Sequence, residues 1–159
     1  MKSSGPPHLR FVHRNLPLLL LHAREGVLSR FRPIFNSHDL TDQQWRILRA
    51  LLECGPLESW QIGQACCISS SSIAVILGRM ELQGLIEKQR MEHDQRRVLV
   101  SATTHSRALA KQMRPRIEAE YVKLEALVGK ELLNELHRVL DAVNQRLSEA
   151  GVQPASKEE

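Results

Sequence analysis

Residues 69–102 read SSSSIAVILGRMELQGLIEKQRMEHDQRRVLVSA, and the change of hydrophobic period inside this stretch decides the fold. Over Ser69–Gln83 the apolar residues Ile73, Ile76, Leu77 and Met80 fall at i, i+3, i+4 and i+7, so they share one face of an amphipathic helix. Gly84 follows as a C-cap glycine, suited to the left-handed conformation that ends a helix. Beyond it the period drops to two. Leu85–Met91 and Val98–Ala102 read as short strands, joined by a polar turn at His93–Arg97.

Upstream of this unit, Ser59 is expected to cap a short helix through Ile62, Ala65 and Cys66, with Gly55 and Pro56 ending the element before it. That earlier element opens on Thr41-Asp42-Gln43-Gln44, a capping box in which Thr41 and Gln44 satisfy each other's backbone N–H groups. A helix over Asp42–Glu53 follows, with Trp45, Leu48, Leu51 and Leu52 on one face. The first helix runs from about Asn15 to around Phe35, carrying Leu18, Leu21, Leu28 and Phe31. Pro17 suits its first turn, and Pro33 marks a kink or the approach of its end. Downstream, helical spacing resumes at Thr104 through Ala108, Met113, Ile117, Tyr121 and Leu124, with a bend expected at Pro115. A final helix carries Leu132, Leu136, Val139, Leu140, Val143 and Leu147 and stops at Gly151.

Helices, the last two joined by a short loop, followed at once by a hairpin give the order of a winged helix-turn-helix. The expected fold class is therefore mainly α (α+β). Residues 37–103 form the winged unit, 15–36 and 104–151 a helical dimerisation region, and 1–14 and 152–159 polar tails. In a winged helix the element at Ser69–Gln83 enters a major groove and the hairpin tip reaches an adjoining minor groove. Its outward face offers Ser69, Ser70, Ser71, Ser72, Val75 and Arg79: hydroxyls for phosphates or base edges, a methyl-sized contact, and a cation. At the tip, Asp94 is placed to orient one of Arg96 and Arg97 for the minor groove while the other neutralises phosphate. The plainer readings are a serine run that only caps a helix and a tip that is only solvated.

The charge distribution favours the DNA reading. The 159 residues carry 22 Lys and Arg against 18 Asp and Glu, a net +4. Residues 1–85 hold nine basic and six acidic side chains, residues 86–116 eight and three, and residues 117–159 five and nine. The basic excess is thus concentrated on the hairpin and the helix after it, as a nucleic-acid footprint requires. No uncharged apolar run reaches the roughly 18 residues of a membrane span, and Leu16–Leu21 lacks the cleavage site of a signal peptide. Cys54, Cys66 and Cys67 are an odd set suited to reduced, buried thiols in a cytoplasm. His8, His13, His22 and His38 show no metal-ligand spacing with Cys or Asp. Nucleophile elbows and phosphate-binding glycine loops are lacking too, so neither an enzyme nor a cofactor is expected.

Leu77-x-x-Met80-Glu81-x-x-Gly84-Leu85-Ile86, followed by Asp94-x-Arg96-Arg97-Val98-x-Val100-x-Ala102-Thr103, resembles the MarR family of winged-helix transcription factors. Ala102 departs from the Leu usual there. Arg24-Glu25, Phe31-Arg32-Pro33-Ile34, Leu40 to Arg46 and Ala65-Cys66-x-Ile68 are similar to the branch of that family that regulates homoprotocatechuate degradation. The resemblance implies a homodimer with interlocked terminal helices on a pseudo-palindromic double-stranded operator, repressing until a small aromatic carboxylate releases it. It places that effector between the first two helices and the last long ones. Arg24, a cation on an apolar stretch, is the leading anchor there. His38, Trp45, Arg46 and Arg49 are candidates for a ring hydrogen bond, a stacking wall and a second cation. Their ordinary alternatives are a core Trp45 and an Arg46 or Arg49 that is solvated or paired with Glu53. Two further readings are a repressor without small-molecule control and one controlled by thiol oxidation.

Overall fold

The computed structural model describes residues 11–91 and 94–152, with residues 95 and 96 described by their backbone alone. In chain order the elements are α1 (Leu16–Asn36), α2 (Asp42–Cys54), β1 (Leu57–Glu58), α3 (Ser59–Cys66), α4 (Ser70–Leu82), β2 (Ile86–Met91), β3 (Asp94–Ala102), α5 (Thr104–Val128) and α6 (Lys130–Glu149). The architecture is mainly helical with one small antiparallel sheet in the order β1-β3-β2. The expected winged helix-turn-helix is present: α3 and α4 joined by a tight turn, then the β2–β3 hairpin.

Local chemistry sets the boundaries. Asn15 caps α1 by accepting the Leu18 N–H at 3.1 Å. Pro33 lies inside α1, which ends one turn later at Asn36. At α2 both halves of the capping box form: Gln44 N–H donates to Thr41 Oγ1 at 3.2 Å, and Thr41 N–H donates to Gln44 Oε1 at 3.0 Å. Gly84 has a φ of +68°, and Leu85 N–H reaches back to the Met80 carbonyl at 2.9 Å, which closes the end of α4. Pro115 lies within α5 without interrupting it. Gly151, at φ +77°, follows α6.

Three expectations require correction. The residue before α3 that caps it is Glu58, not Ser59, and Glu58 belongs to a two-residue strand that sequence periodicity does not predict. Two residues are too few to show a period. They are a strand because Leu57 and Glu58 pair with Val100 and Leu99. Next, β3 starts at Asp94, so most of the segment read as a tip is strand, with a register shift between Arg90 and Met91 opposite it. His93 lies outside the described residues. Finally, of the three cysteines only Cys66 is buried, while Cys54 and Cys67 are exposed.

The core gathers the inward faces of every element except α6. Ile47, Leu48 and Leu51 of α2, Ile62 and Cys66 of α3, and Leu77 and Met80 of α4 are essentially inaccessible, as are Val100 of β3 and Met113 of α5. Ile73 is buried beside them, whereas Ile76 is only half-buried. Each such side chain contributes about 1.5–3 kcal/mol on leaving water, so the α4 face is anchored firmly while its opposite face stays free. Gly63 is a close-approach site, because a Cβ there would meet the Ile68 carbonyl oxygen at 3.2 Å. No residue of α6 is fully buried within its own chain, although Leu133 and Leu140 are half-buried there.

Thr41→Ala is expected to lower unfolding free energy by about 1 kcal/mol through loss of one half of the capping box. Gly84→Ala should cost about 1–2 kcal/mol from backbone strain alone, since its Cβ would meet nothing within 4 Å. Urea denaturation checks both, and an unchanged midpoint for Gly84→Ala would show that the end of α4 relaxes freely.

Candidate nucleic-acid interface and effector site

On α4 the outward residues stand as a helix of this phase requires. Ser70, Ser71, Ser72 and Arg79 are exposed, and Val75 is 55% exposed. Ser69 is the N-cap by position, yet its hydroxyl does not bond a helix N–H. It donates instead to the Ser72 hydroxyl at 3.0 Å and lies 3.2 Å from that of Ser71. The run is thus a cluster of hydroxyls at the exposed start of the helix, where unpaired N–H groups also favour an anion. Arg79 makes no ion pair among the described residues, so its charge is available.

The wing differs from expectation at Arg97. Its guanidinium is bound to Glu58, through Nε at 3.1 Å and more closely through a terminal nitrogen, both to Oε1. The hydrogen bond from Arg97 holds the Glu58 carboxyl below the usual carboxylate range, and the same bond pushes the Arg97 pKa up. Asp94 is exposed and adds a weaker favourable field at Arg97. The side chain of Arg96 lies outside the described residues. On β2, Arg90 is exposed and makes no ion pair among the described residues. Two neighbours were missed at the sequence level: Glu58, and Trp60, which is 60% exposed at the start of α3. Trp60 borders a groove of about 400 Å³ between α3 and α4 that Ser70, Ile73 and Ala74 also line. An aromatic residue at an otherwise outward helical position was the available signal.

The second candidate region lies between α1, α2 and α5. Arg24 is not the isolated cation expected, because it bonds Glu25 at 2.5 Å and Asp42 at 3.3 Å, while Glu25 also receives Arg32 at 2.6 Å. Its charge is already balanced, by carboxylates of α1 and α2. His38 is half-buried in the turn after α1, with its backbone N–H on the Phe35 carbonyl. Arg46 is half-buried, and its Nε is shielded from solvent without a hydrogen-bond partner among the described residues. Its carbonyl accepts a 3.6 Å bond from the Cys66 thiol, whose pKa burial pushes up.

Trp45 and Arg49, by contrast, are one turn apart on the same face of α2. The Trp45 ring stacks on Phe35 with centroids 5.5 Å apart. Phe35 stacks on Phe31 at 6.5 Å, and Phe31 meets Tyr121 of α5 at 4.8 Å. Arg49 bonds Glu53 at 2.7 Å, the main cause of its raised pKa, and the nearby Tyr121 phenol raises it slightly further. An aromatic wall therefore ends at a guanidinium and a phenol. Phe31 and Tyr121 were read only as helix-face residues, although a lone tyrosine on an apolar stripe was the clue. Among the described residues no group of three His, Cys, Asp or Glu side chains is placed to hold a metal ion. No single helix among them is long and apolar enough to cross a membrane.

Comparison with known proteins addresses the whole assembly. The model of the MarR family matches residues 38–97, from the turn before α2 to Arg97. The chain is 37% identical over 130 residues to the homoprotocatechuate degradative operon repressor of Escherichia coli, covering 82% of this chain and 88% of that one. It is 35% identical over 139 residues to the HTH-type transcriptional regulator FarR of Neisseria gonorrhoeae, covering 83% and 95%. Among solved structures, NadR in complex with 4-hydroxyphenylacetate superposes with a TM-score of 0.74 at 32% identity, over 86% of this chain and 97% of that one. Identity of this level spans the terminal helices as well as the winged unit, and the chain belongs to the MarR family of DNA-binding transcriptional regulators, which are not enzymes.

Proposed function

We propose that this chain is a cytoplasmic, homodimeric repressor of an aromatic-acid catabolic operon, released from a pseudo-palindromic operator when a small aromatic carboxylate binds. The observation that carries the effector part is the aromatic row Trp45–Phe35–Phe31–Tyr121, with the Arg49 guanidinium one turn from Trp45 on α2 and near the Tyr121 phenol. Flat apolar rings suit a benzene ring, and a guanidinium suits a carboxylate through its two parallel N–H groups. Glu53, the present partner of Arg49, is 60% exposed at its side chain, so a ligand carboxylate can take its place without leaving a buried charge behind. Arg24 is less suited, since an incoming anion there meets Glu25 and Asp42. Similarity to a regulator solved with 4-hydroxyphenylacetate and to a repressor named for homoprotocatechuate supports the same chemistry. Cys66 is poorly suited to control by thiol oxidation, because it is buried and burial raises its pKa; Cys54 and Cys67 are exposed.

Dimerisation through residues 15–36 and 104–151 is supported by apolar surface left uncovered. Leu132, Leu136, Val139, Val143 and Leu147 line one side of α6, and Leu16 and Leu18–Leu21 line the start of α1, all exposed in the single chain. A second copy is the occupant that family membership favours. In the dimer each copy presents Ser69–Ser72, Val75 and Arg79 to a half-site, with Asp94 and Arg96 on the wing.

Three measurements test this reading. Thermal unfolding with 4-hydroxyphenylacetate or homoprotocatechuate should show stabilisation of about 2.7 kcal/mol at a hundredfold excess over Kd. Arg49→Ala should lose most of it and Arg24→Ala should keep it; no stabilisation and no release from operator by any aromatic acid would defeat the effector assignment. Arg79→Ala should weaken operator binding and lower the slope of log K against log salt by about 0.9 if Arg79 meets a phosphate. Leu136→Glu with Val143→Glu should give a monomer in sedimentation analysis, and a persistent dimer would place the interface elsewhere.

A further inference from the structure

One carboxylate ties the inner strand of the wing to the start of α3, beside a second tie from Lys88 of β2 to Glu81 of α4 at 2.7 Å. Glu58 lies in β1 opposite Leu99 of β3, and its side chain is only 15% exposed. It has several partners at once. It caps α3, accepting the backbone N–H of Gln61, while its own N–H donates to Gln61 Oε1 at 2.8 Å. It also receives two N–H groups of Arg97. A carboxylate has about four acceptor sites, and these partners occupy most of them.

We propose that Arg97 is a positioning residue for DNA binding, held by Glu58 to fix the wing strand against the start of α3, and that it does not neutralise a phosphate. For Arg97 to turn to DNA, it would have to abandon a mostly covered carboxylate. That carboxylate would then sit unpaired beside a polyanion, which costs both desolvation and repulsion. The geometry favours the clasp instead. Arg97 is two residues from Leu99, the partner of Glu58 in the sheet, so the ion pair extends the β1–β3 ladder toward the tip by one more rung. Asp94, where β3 begins, lies just beyond it. The root of the wing is thereby neutral and stiff. Wing and recognition helix approach DNA as one body, because the carboxylate that holds the wing also caps the helix preceding α4.

The test uses the full-length protein and a duplex selected in vitro by the wild type, with operator affinity measured across a salt series and melting temperature recorded alongside. Arg97→Ala is expected to weaken binding several-fold at every salt concentration with the slope unchanged. Glu58→Gln should act in the same direction, and the double variant should be no weaker than Arg97→Ala alone, as for two halves of one interaction. Arg97→Lys, which keeps the charge and loses the fork, should weaken binding nearly as much as the alanine variant. The proposal is overturned by a slope lowered by about 0.9 in Arg97→Ala, the signature of one phosphate no longer neutralised. Tighter binding by Glu58→Gln overturns it, as does full retention of affinity by Arg97→Lys. A lowered melting temperature with operator affinity intact overturns it too, since the clasp would then serve stability only.

Discussion

One hydroxyl joins the two halves of this molecule. The Thr103 side chain accepts the Ser106 N–H at 3.1 Å, which caps α5, and donates to the Gly84 carbonyl at 2.7 Å, which lies just past the end of α4. Ser106 beneath it is completely buried and returns a bond to the Thr103 carbonyl. The recognition helix and the long helix leading to α6 are thus pinned at a common point, where a left-handed glycine turns the chain. Both helices drive Met80 and Met113 into the same core, so the joint is held by packing as well as by hydrogen bonds.

The start of α2 forms a similar node on the other side. Gln44 completes the Thr41 capping box and, through Nε2, donates to Gln83 Oε1 at 2.7 Å at the end of α4. The next residue, Trp45, belongs to the aromatic wall, and Asp42 receives Arg24 from α1. A few consecutive residues at one helix terminus thus touch the proposed effector surface, the first helix and the recognition helix. A ligand that changes affinity for DNA must interact differently with two arrangements of the fold, and this crowded terminus lies in contact with each part that would differ.

What the sequence made legible was whatever chemistry recurs locally. The Thr41–Gln44 box, Gly84, and the i, i+3, i+4 spacing of α4 all involve residues within a turn or two of one another, and each was readable with its role. The resemblance of residues 77–103 to a family motif extended this to the winged architecture. The misreadings share a cause. Glu58 finds Arg97 39 residues away, Arg24 finds Asp42 18 residues away, and the pairing of Phe31 with Tyr121 depends on how α1 crosses α5. None of these leaves a period in the chain. A cation looks free in sequence until its partner is placed, so Arg24 reads there as a lone anchor and Arg97 as one of two wing cations, and both are paired with carboxylates once folded.

The apolar side of α6 has a consequence for how the cell sets the level of this regulator. Leu132, Leu136, Val139, Val143 and Leu147 stay exposed on α6 in the single chain, so in the proposed dimer the free energy of covering them would come from a second molecule. With such a dimer, operator occupancy would rise with the square of subunit number when subunits are scarce. Halving synthesis would empty the operator more than twofold, and a dividing cell that partitions few copies unequally would express the controlled genes in bursts. The steepness of the switch would thus be fixed partly by an exposed row of leucines and valines far from both DNA and effector.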